Sequence, residues 1–237
     1  MRDIITVFKK EIKELFKAKE SRRSWLLQGA IFIGIFGIYL PAQEKEMWLN
    51  TPIPALFFLT LPLLVASTVA ADSFAGERER KTLETLLATR LSDQAIFLGK
   101  VLAALAYSWT FTLAAELTSL ITVNVVKEAP GLFVYPPPML FLGLVGSALT
   151  AVFAVGVGLF VSLKAKSARA AQQMIGVGFF AIFFFGPMII ARLITRPVGL
   201  KLTWGLVAPA AAVLVLLDTL LLALAVKRFQ RARLILD

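Results

Sequence analysis

Charged side chains that could bind a partner protein are concentrated in one short segment between two long apolar stretches. The segment reads FAGERERKTLETLLATR, from Phe74 to Arg90, and seven of its seventeen residues are charged. Oppositely charged residues four positions apart favour a helix. These pairs are Glu77 with Lys81 and Arg80 with Glu84.

A leucine face accompanies these charges, so the pattern predicts an amphipathic helix over residues 77–90. The face consists of Leu83, Leu86 and Leu87. A connection of about two to eight residues would be enough to join two membrane spans. An additional leucine face needs a cover, which can be the membrane surface, the neighbouring spans or a partner protein. After a turn, Ser92 is well placed to cap the next helix.

Acidic residues also lie in or beside the apolar stretches, at Asp72, Glu116 and Asp218. An ionised carboxylate at the centre of a span costs about 2.5–3.5 kcal/mol, so such a group is expected to face protein or water. Asp72 stands at the end of its span, where an interface or capping role is expected. Glu116 and Asp218 are candidates for a translocation path or a dimer seam, or for structural contacts with buried hydroxyls and amides.

The common kinds of catalytic chemistry have few residues to use in this chain. There is no cysteine and no histidine, which excludes disulfides, Cys/His zinc sites and histidine proton shuttles. We predict no catalytic residue and no metal site. The G-x-x-x-x-G-K-[ST] phosphate-binding pattern is also missing from the sequence. If ATP drives this protein, another polypeptide must therefore hydrolyse it.

The elements that must position these residues are membrane helices. Of the 237 residues, 58% are hydrophobic, and the mean hydropathy is +0.80, whereas soluble domains need more polar surface. Six apolar stretches are long enough to cross a bilayer, which takes about 20 residues. We predict an all-α polytopic membrane protein with one domain over residues 1–237. Its spans are 24–40, 53–71, 101–126, 139–163, 170–191 and 204–226.

The positions of the positive charges predict the topology. The N-terminal segment, residues 77–100, residues 164–169 and the C-terminal tail carry eight, five, three and four lysines and arginines, against five on the other side. This bias predicts a multi-pass protein of the plasma (inner) membrane with both termini and the 77–90 helix in the cytoplasm. Topology and anionic lipid explain the net charge of +10, so we expect membrane lipid and not nucleic acid as a partner.

The two ends of the predicted bundle carry further features. Residues 1–23 have one apolar stripe with lysines elsewhere, which predicts an amphipathic helix in the cytoplasmic interface. Small residues at four-residue spacing, Gly143, Ser147 and Ala151, predict close helix packing within the chain or at a dimer seam. On the outer side, three cations are candidates for a gate that contacts headgroups, an anionic substrate or an outer partner. They are Arg192, Arg196 and Lys201.

Residues 74–105, FAGERERKTLETLLATRLSDQAIFLGKVLAAL, resemble the signature region of type-2 ABC exporter permeases. That family has the pattern F-x-x-E-x-E-x-x-T-L-E-x-L-L, then a short turn, a hydrophobic residue, Leu-Gly-Lys and the third span. The matching residues are Phe74, Glu77, Glu79, Thr82, Leu83, Glu84, Leu86, Leu87, Leu98, Gly99 and Lys100. Many relatives have a proline in the turn where this chain has Arg90.

The resemblance implies that residues 77–90 are a coupling helix that docks in a cleft of a separate cytoplasmic ABC ATPase subunit. The three leucines are then the candidate anchors, and the charged and polar residues around them orient the partner. These collar residues are Glu77, Arg78, Glu79, Arg80, Lys81, Thr82 and Glu84. The resemblance also implies no cofactor in this chain, ATP and Mg on the ATPase subunit, and a homodimer or a pairing with a related permease.

Two other classes of function stay open at this point. The first is a stand-alone secondary transporter or a channel-like membrane protein, although the sequence has no inverted repeat and no matching pair of Gly/Pro-broken helices. The second is an intramembrane enzyme, for which a Glu116–Asp218 dyad is conceivable. Nothing in the sequence brings these two acids together.

Overall fold

Helices and short connections make up the described part of the chain. A computed structural model describes residues 2–17, 27, 29–51, 53–128, 130–165, 167–194 and 203–228, and none of these residues forms a strand. The predicted all-α fold class is confirmed for this part of the chain. The helices are α1 (Arg2–Lys17), α2 (Gly29–Glu44), α3 (Glu46–Asn50), α4 (Ile53–Glu79), α5 (Leu83–Leu87), α6 (Asp93–Val126), α7 (Pro137–Ser162), α8 (Ala168–Ile194) and α9 (Trp204–Arg228).

Helix α4 lies at the centre of the bundle. It packs against α6, α7 and α8, while α1 and α2 pack on α6 and α9 packs on α7. Its membrane portion is apolar on every side, as expected for a helix that neighbours surround. The charged end of α4 is therefore held close to the ends of several other helices.

Small residues of α7 allow it to approach its neighbours closely. A Cβ atom on Gly158 would overlap the Cβ of Ala70 in α4, so the two backbones meet at this point. The small residues of the predicted pattern are all buried inside the chain: Gly143, Ser147 and Ala151. Their spacing therefore serves packing within the chain.

Four of the described helices are long and apolar enough to cross a membrane. They are Ile53–Glu79, Asp93–Val126, Pro137–Ser162 and Trp204–Val226, which contain the predicted second, third, fourth and sixth spans almost entirely. Of the first predicted span, residues 24–26 and 28 lie outside the described residues, and α2 is a shorter apolar helix. The fifth predicted span coincides with α8, which is not among the four. Six spans remain a prediction.

The helix predicted over residues 77–90 is divided in the structure, so that prediction was wrong. Helix α4 continues into this segment and ends where Lys81 takes a left-handed conformation, with φ at 58°. The Thr82 N–H donates to the Glu77 carbonyl at 2.9 Å, and the Lys81 N–H donates to the Arg78 carbonyl at 3.1 Å. These two bonds form the Schellman motif that ends many helices. The short helix α5 begins only after this turn.

The start of α6 agrees with the sequence. The Ser92 hydroxyl accepts a hydrogen bond from the Ala95 N–H at 3.2 Å, which confirms the predicted cap. Helix α6 then begins at Asp93, well before the predicted membrane span at residue 101. At the other end of the sequence, α1 covers Arg2–Lys17 of the predicted 1–23 helix, and residues 18–23 lie outside the described residues.

Helices α2 and α7 each contain a π-helical segment, Ile33–Tyr39 in α2 and Leu142–Gly146 in α7. Both segments contact α6 through a glycine. A Cβ on Gly37 would stand 2.9 Å from the Thr118 Cβ, and a Cβ on Gly143 would overlap the carboxylate of Glu116. The two segments therefore flank the same part of α6. Single π-helical turns are rare and often lie at functional sites.

Candidate functional site

An ion cluster is buried where α1, α4 and α6 meet. The Lys100 ammonium lies 3.0 Å from Glu77 Oε1 and 2.9 Å from Glu11 Oε1, and it donates to the Ser73 carbonyl at 2.9 Å. The Lys100 side chain is 0% exposed and stands over the Phe74 ring, 5.2 Å from its centroid. An unpaired buried charge is costly, so these partners are what allow a lysine at this position.

A second ammonium, from Lys10 of α1, completes the cluster. It lies 2.9 Å from Glu77 Oε1, 3.2 Å from Glu11 Oε1 and 3.4 Å from Glu14 Oε1. Burial alone would lower the pKa of Lys10, but the three carboxylates more than offset the burial and hold that pKa above its usual value. Charge therefore joins α1 to the ends of α4 and α6.

The same carboxylates have the spacing of a cation site. One oxygen from each of Glu11, Glu14 and Glu77 lies within 4.8 Å of the others. The ammonium groups of Lys10 and Lys100 already stand among these oxygens, so ion pairing with the chain's own lysines accounts for the arrangement.

Glu77 has a different role from the one predicted for it. It was expected in the exposed collar and in a pair with Lys81, yet it is 3% exposed and pairs with Lys10 and Lys100. The reason is the left-handed turn at Lys81, which ends the helix that would have placed the two predicted partners on one face. Glu77 is thus buried beneath the exposed residues of the predicted collar and pairs with lysines of α1 and α6.

Arg78 and Glu79 connect the end of α4 to the link between α7 and α8. Arg78 donates through Nη1 to the Ala165 carbonyl at 2.9 Å and through Nη2 to the Leu163 carbonyl at 3.2 Å. Glu79 Oε2 accepts from the Ala168 N–H at 3.2 Å, at the first residue of α8. The cation meets the carbonyl-rich end of α7 and the carboxylate meets the amide-rich start of α8. In both contacts, the side chain has the sign of charge that the helix dipole favours at that end of the helix.

Arg80 forms a bidentate ion pair with Asp72, which lies about two helical turns earlier in the chain. Nη1 donates to Oδ1 at 3.1 Å and Nη2 donates to Oδ2 at 3.0 Å. This hydrogen bonding is the main reason that the pKa of Arg80 lies above its usual value. Gly76 lies between the partners, and a Cβ there would overlap Asp72 Oδ1. Arg80 therefore pairs with Asp72 and not with the predicted Glu84, and Asp72 is a surface ion-pair partner.

Ser162, at the end of α7, is fully buried against α4. Its hydroxyl accepts from the N–H of Phe74 at 3.1 Å and of Ala75 at 2.9 Å, and it donates to the Ala71 carbonyl at 2.9 Å. One side chain thus bonds three backbone groups of another helix. This contact fixes the end of α7 at the first residue of the charged segment.

One member of the predicted leucine face, Leu86 of α5, packs against the chain itself. Leu86 is 7% exposed and belongs to the same apolar cluster as Val7, Phe74 and Ile96. The chain's own helices therefore cover Leu86, and its role as an anchor for a partner stays a prediction. The structure does not describe the side chains of Leu83 and Leu87.

The described exposed residues around Leu86 are mostly polar. It extends from the end of α4 across the turn and α5 to the residues before Ser92. Its exposed members are Glu79, Arg80, Lys81, Thr82, Glu84, Thr85, Ala88, Thr89 and Arg90. We call this set the collar surface. It retains most of the predicted collar residues, with Glu77 buried beneath and Arg78 half-buried.

The membrane acids lie inside the bundle. Glu116 in α6 and Asp218 in α9 are each 5% exposed. Within the described part of the chain, Glu116 Oε2 and both carboxylate oxygens of Asp218 have no hydrogen-bond partner. Among these residues, the structure shows no hydrogen bond between the carboxyl groups of the two acids. Of the gate candidates, Arg192 falls in the last turn of α8 without a described side chain, and Arg196 and Lys201 lie outside the described residues.

Four residues of the site were not found from the sequence: Lys10, Glu11, Glu14 and Ser162. The lysines of α1 fit a lipid-facing helix, and no periodicity links residue 11 to residues 77 and 100. One signal was available, because Glu11 and Glu14 are acids that lie among the lysines of α1. Such acids point to a cation elsewhere in the chain. The role of Ser162 depends on a contact between distant helices and left no pattern in the sequence.

A family model described as ABC-2 type transporter matches residues 2–224. No curated protein matches the chain. The match runs from α1 into α9 and includes every residue of the ion cluster and of the collar surface. Members of this family are the transmembrane subunits of ABC transporters and normally work with a cytoplasmic ATPase subunit. The chain therefore belongs to the ABC-2 type transporter family, as a multi-pass membrane component.

Proposed function

We propose that this chain is the permease subunit of an ATP-driven exporter and that the collar surface receives the ATPase subunit. The observation that carries the proposal is the position of this surface directly above contacts that reach four other helices. Glu77 reaches α1 and α6, and Arg78 and Glu79 reach α7 and α8. A partner that displaces the collar surface would therefore move the ends of these helices together.

The physical basis is rigid-body transmission. Buried ion pairs and helix-end contacts hold a fixed geometry, because breaking one leaves an unpaired buried charge. Small movements at an effector surface are amplified when the packed elements below it have discrete arrangements. The exposed charges of the collar surface would orient the partner more than they add affinity. ATP and Mg would bind on the partner, where hydrolysis supplies the movement.

The wider arrangement follows from the predicted topology. We place both termini and the collar surface in the cytoplasm, with six spans that include the first and fifth predicted ones. The chain would work as a homodimer or beside a related permease, surrounded by membrane lipid. Export, and not import, is the direction that the signature region implies.

Site-directed cross-linking tests the proposal. The chain has no cysteine, so Thr85→Cys adds one defined thiol on the collar surface and Leu86→Cys adds one at the neighbouring buried position. Leu132→Cys, at an exposed site (80%) between α6 and α7, serves as the distant control. Each variant is treated with a thiol-to-amine cross-linker in native membranes, and trapped chains are identified by mass spectrometry.

We expect the Thr85→Cys variant to trap a polypeptide that carries a P-loop, with a yield that changes when ATP is added. The Leu132→Cys variant should trap none, and the Leu86→Cys variant should react weakly because its own helices cover the thiol. Capture of lipid alone by the Thr85→Cys variant, or of the ATPase equally by the Thr85→Cys and Leu132→Cys variants, would contradict the proposal.

A further inference from the structure

A second polar site lies inside the bundle, at the π-helical segment Leu142–Gly146 of α7. The carboxylate of Glu116 fills the space where a side chain on Gly143 would stand: a Cβ there would overlap Oε1 and lie 2.8 Å from Oε2. Glu116 is 5% exposed, and among the described residues its Oε2 is buried with no hydrogen-bond partner. A glycine and a carboxyl group therefore meet face to face in the membrane portion of the bundle.

Side chains bond two carbonyls of this π-helical segment. Trp109 Nε1 donates to the Leu144 carbonyl at 3.2 Å and to Ser147 Oγ at 3.2 Å. Ser147 Oγ in turn donates to the Gly143 carbonyl. Trp109 and Glu116 stand about two turns apart on the same face of α6. They therefore hold the segment between them, one by hydrogen bonds and the other by filling the gap.

Within the part of the chain that the structure describes, no cation on the packed elements is placed to pair with Glu116. Residues 142–162 of α7 and 53–71 of α4 contain no ionisable side chain. Helix α2 carries Tyr39 and Glu44, which are both exposed. Lys10 of α1 lies at the ion cluster around Lys100, some four helical turns along α6 from Glu116.

Among the described residues, the titratable group that interacts electrostatically with Glu116 is Tyr135. Its hydroxyl accepts from Trp48 Nε1 at 3.3 Å and shares a hydrogen bond with Ser119, which donates to the Glu116 carbonyl at 2.8 Å. Burial raises the pKa of Tyr135 to about 12, so this group is neutral. On α6 itself, Tyr107 lies more than two turns from Glu116. An ionised Glu116 would thus be a buried anion without a cation beside it, which is strongly unfavourable.

We propose that Glu116 is a proton-binding site whose protonated form holds the π-helical segment of α7 against α6. While the carboxylic acid fills the gap at Gly143 it keeps its proton. When α6 and α7 separate enough to admit water, the O–H gives its proton to water and the carboxylate becomes hydrated. Proton release and separation of the two helices are then one event. This inference does not depend on the ATPase contact.

Carbodiimide labelling tests proton binding directly. Dicyclohexylcarbodiimide enters lipid and adds the O–H of a protonated carboxyl group across its C=N bond, and the product rearranges to a stable N-acylurea. The protein in lipid vesicles is labelled between about pH 5 and pH 9. This range covers the pKa values that are usual for buried carboxyl groups in proteins. Mass spectrometry of peptides separates label on Glu116 from label on Asp218 and Asp72.

We expect label on Glu116 to fall about tenfold or more across this range, as one titrating carboxyl group requires. Absence of label on Glu116 at every pH, while Asp218 is labelled, would overturn the proposal. So would label on Glu116 that does not change with pH. This measurement uses the unaltered chain and does not depend on a variant that folds.

Fluorine NMR tests the coupling to α7. The protein is produced with 5-fluorotryptophan, and the Trp109 resonance is assigned from its loss in Trp109→Phe. We expect this resonance to shift with pH in the unaltered chain and in Asp218→Asn, and to be independent of pH in Glu116→Gln. The same pH response in Glu116→Gln would show that another group titrates and would overturn the proposal, as would no response in the unaltered chain.

Discussion

Lys100 is a cation whose partners come from three different helices. Glu11 lies on α1, Glu77 and the Ser73 carbonyl lie on α4, and Lys100 itself begins the membrane portion of α6. A buried ion pair adds little net stability compared with apolar residues, but removal of one partner leaves a buried charge uncompensated. The cluster therefore specifies one arrangement of the three helices.

Lys100→Met should lower the free energy of unfolding by about 3 kcal/mol, the low end for a broken buried ion pair, because Glu77 and Glu11 would lose one cation but keep Lys10. The double variant Lys100→Met/Glu77→Gln should lose less than the single variant, since it removes one of those anions as well. Unfolding in mild detergent, followed by circular dichroism, measures both. Lys81→Met, at an exposed site, is the control. A double variant less stable than the single one would contradict this account.

The residues of this cluster were only partly predictable. Phe74, Glu77 and Lys100 stand out in the sequence as parts of a motif, but the motif does not say that they touch. The predicted pair of Glu77 with Lys81 is prevented by the left-handed turn at Lys81, and energetics also favour the buried partners of Glu77. A surface pair of this kind contributes only about 0.2–0.5 kcal/mol, which cannot compete with a buried network that satisfies the same carboxylate.

Among the elements, the turn between α4 and α5 contains a residue with an unfavourable backbone. Lys81 has φ at 58° at a position where glycine is the usual residue. Lys81→Gly should raise the free energy of unfolding by about 1 kcal/mol, because glycine adopts this conformation without steric cost. Thermal unfolding in detergent measures the change.

Thr82→Gly is the matched control, because Thr82 has φ at −96° and gains nothing from glycine. It should be neutral or destabilising. Equal stabilisation by both substitutions would mean that the left-handed turn is not the cause.

Contact between α4 and α7 gives a second prediction at this scale. Gly158→Ala should destabilise the chain by about 1–3 kcal/mol, because the new Cβ would overlap the Cβ of Ala70 and force the helices apart. Ala70→Gly should restore part of the loss in the double variant. Thermal unfolding of the single and double variants in detergent tests this. Full additivity of the two losses would contradict direct contact between these positions.

Element boundaries show what hydropathy can and cannot supply. The apolar stretches located the helices, and Ser92 marked the start of α6 through its capping side chain. The helices α4 and α6 nevertheless extend beyond the apolar stretches, because hydropathy marks the part of a helix that crosses lipid and not the helix itself. The division at Lys81 had no signal in the sequence, since a lysine stands where a glycine would have announced the turn.

Viewed as a whole, the molecule presents an apolar exterior along its spans. Little of α9 is buried, and its outward residues include Val213, Leu216 and Leu220, which are 55%, 68% and 58% exposed. A surface of this kind is suited to lipid or to another membrane protein. The membrane class and the family could both be predicted from composition and from residues 74–105. The number of spans could not be settled in the same way. A short helix, or one with polar ends, can have the hydropathy of a membrane span without having its length.

The predicted orientation can be tested with two single thiols in intact cells. Leu132→Cys should react with a membrane-impermeant maleimide added outside, and Thr85→Cys should react only after the membrane is opened. The labelled fraction is read from a mass shift on a gel. Labelling of both variants from outside, or of the Thr85→Cys variant alone, would reverse or reject the topology.

The π-helical segment of α7 also has a consequence for angular phase. Each residue of an α-helix turns the chain by about 100°, so a wider turn that takes up one additional residue offsets everything beyond it by that angle. Met139 and Ser147 lie on opposite sides of this segment along α7. Met139 is 3% exposed and faces the core. Removal of one residue within Leu142–Gly146 would restore an ordinary helix and rotate Met139 out of the core. A single-residue deletion in this segment would therefore rotate the Pro137 end of α7 about the helix axis and leave the Ser162 end in position.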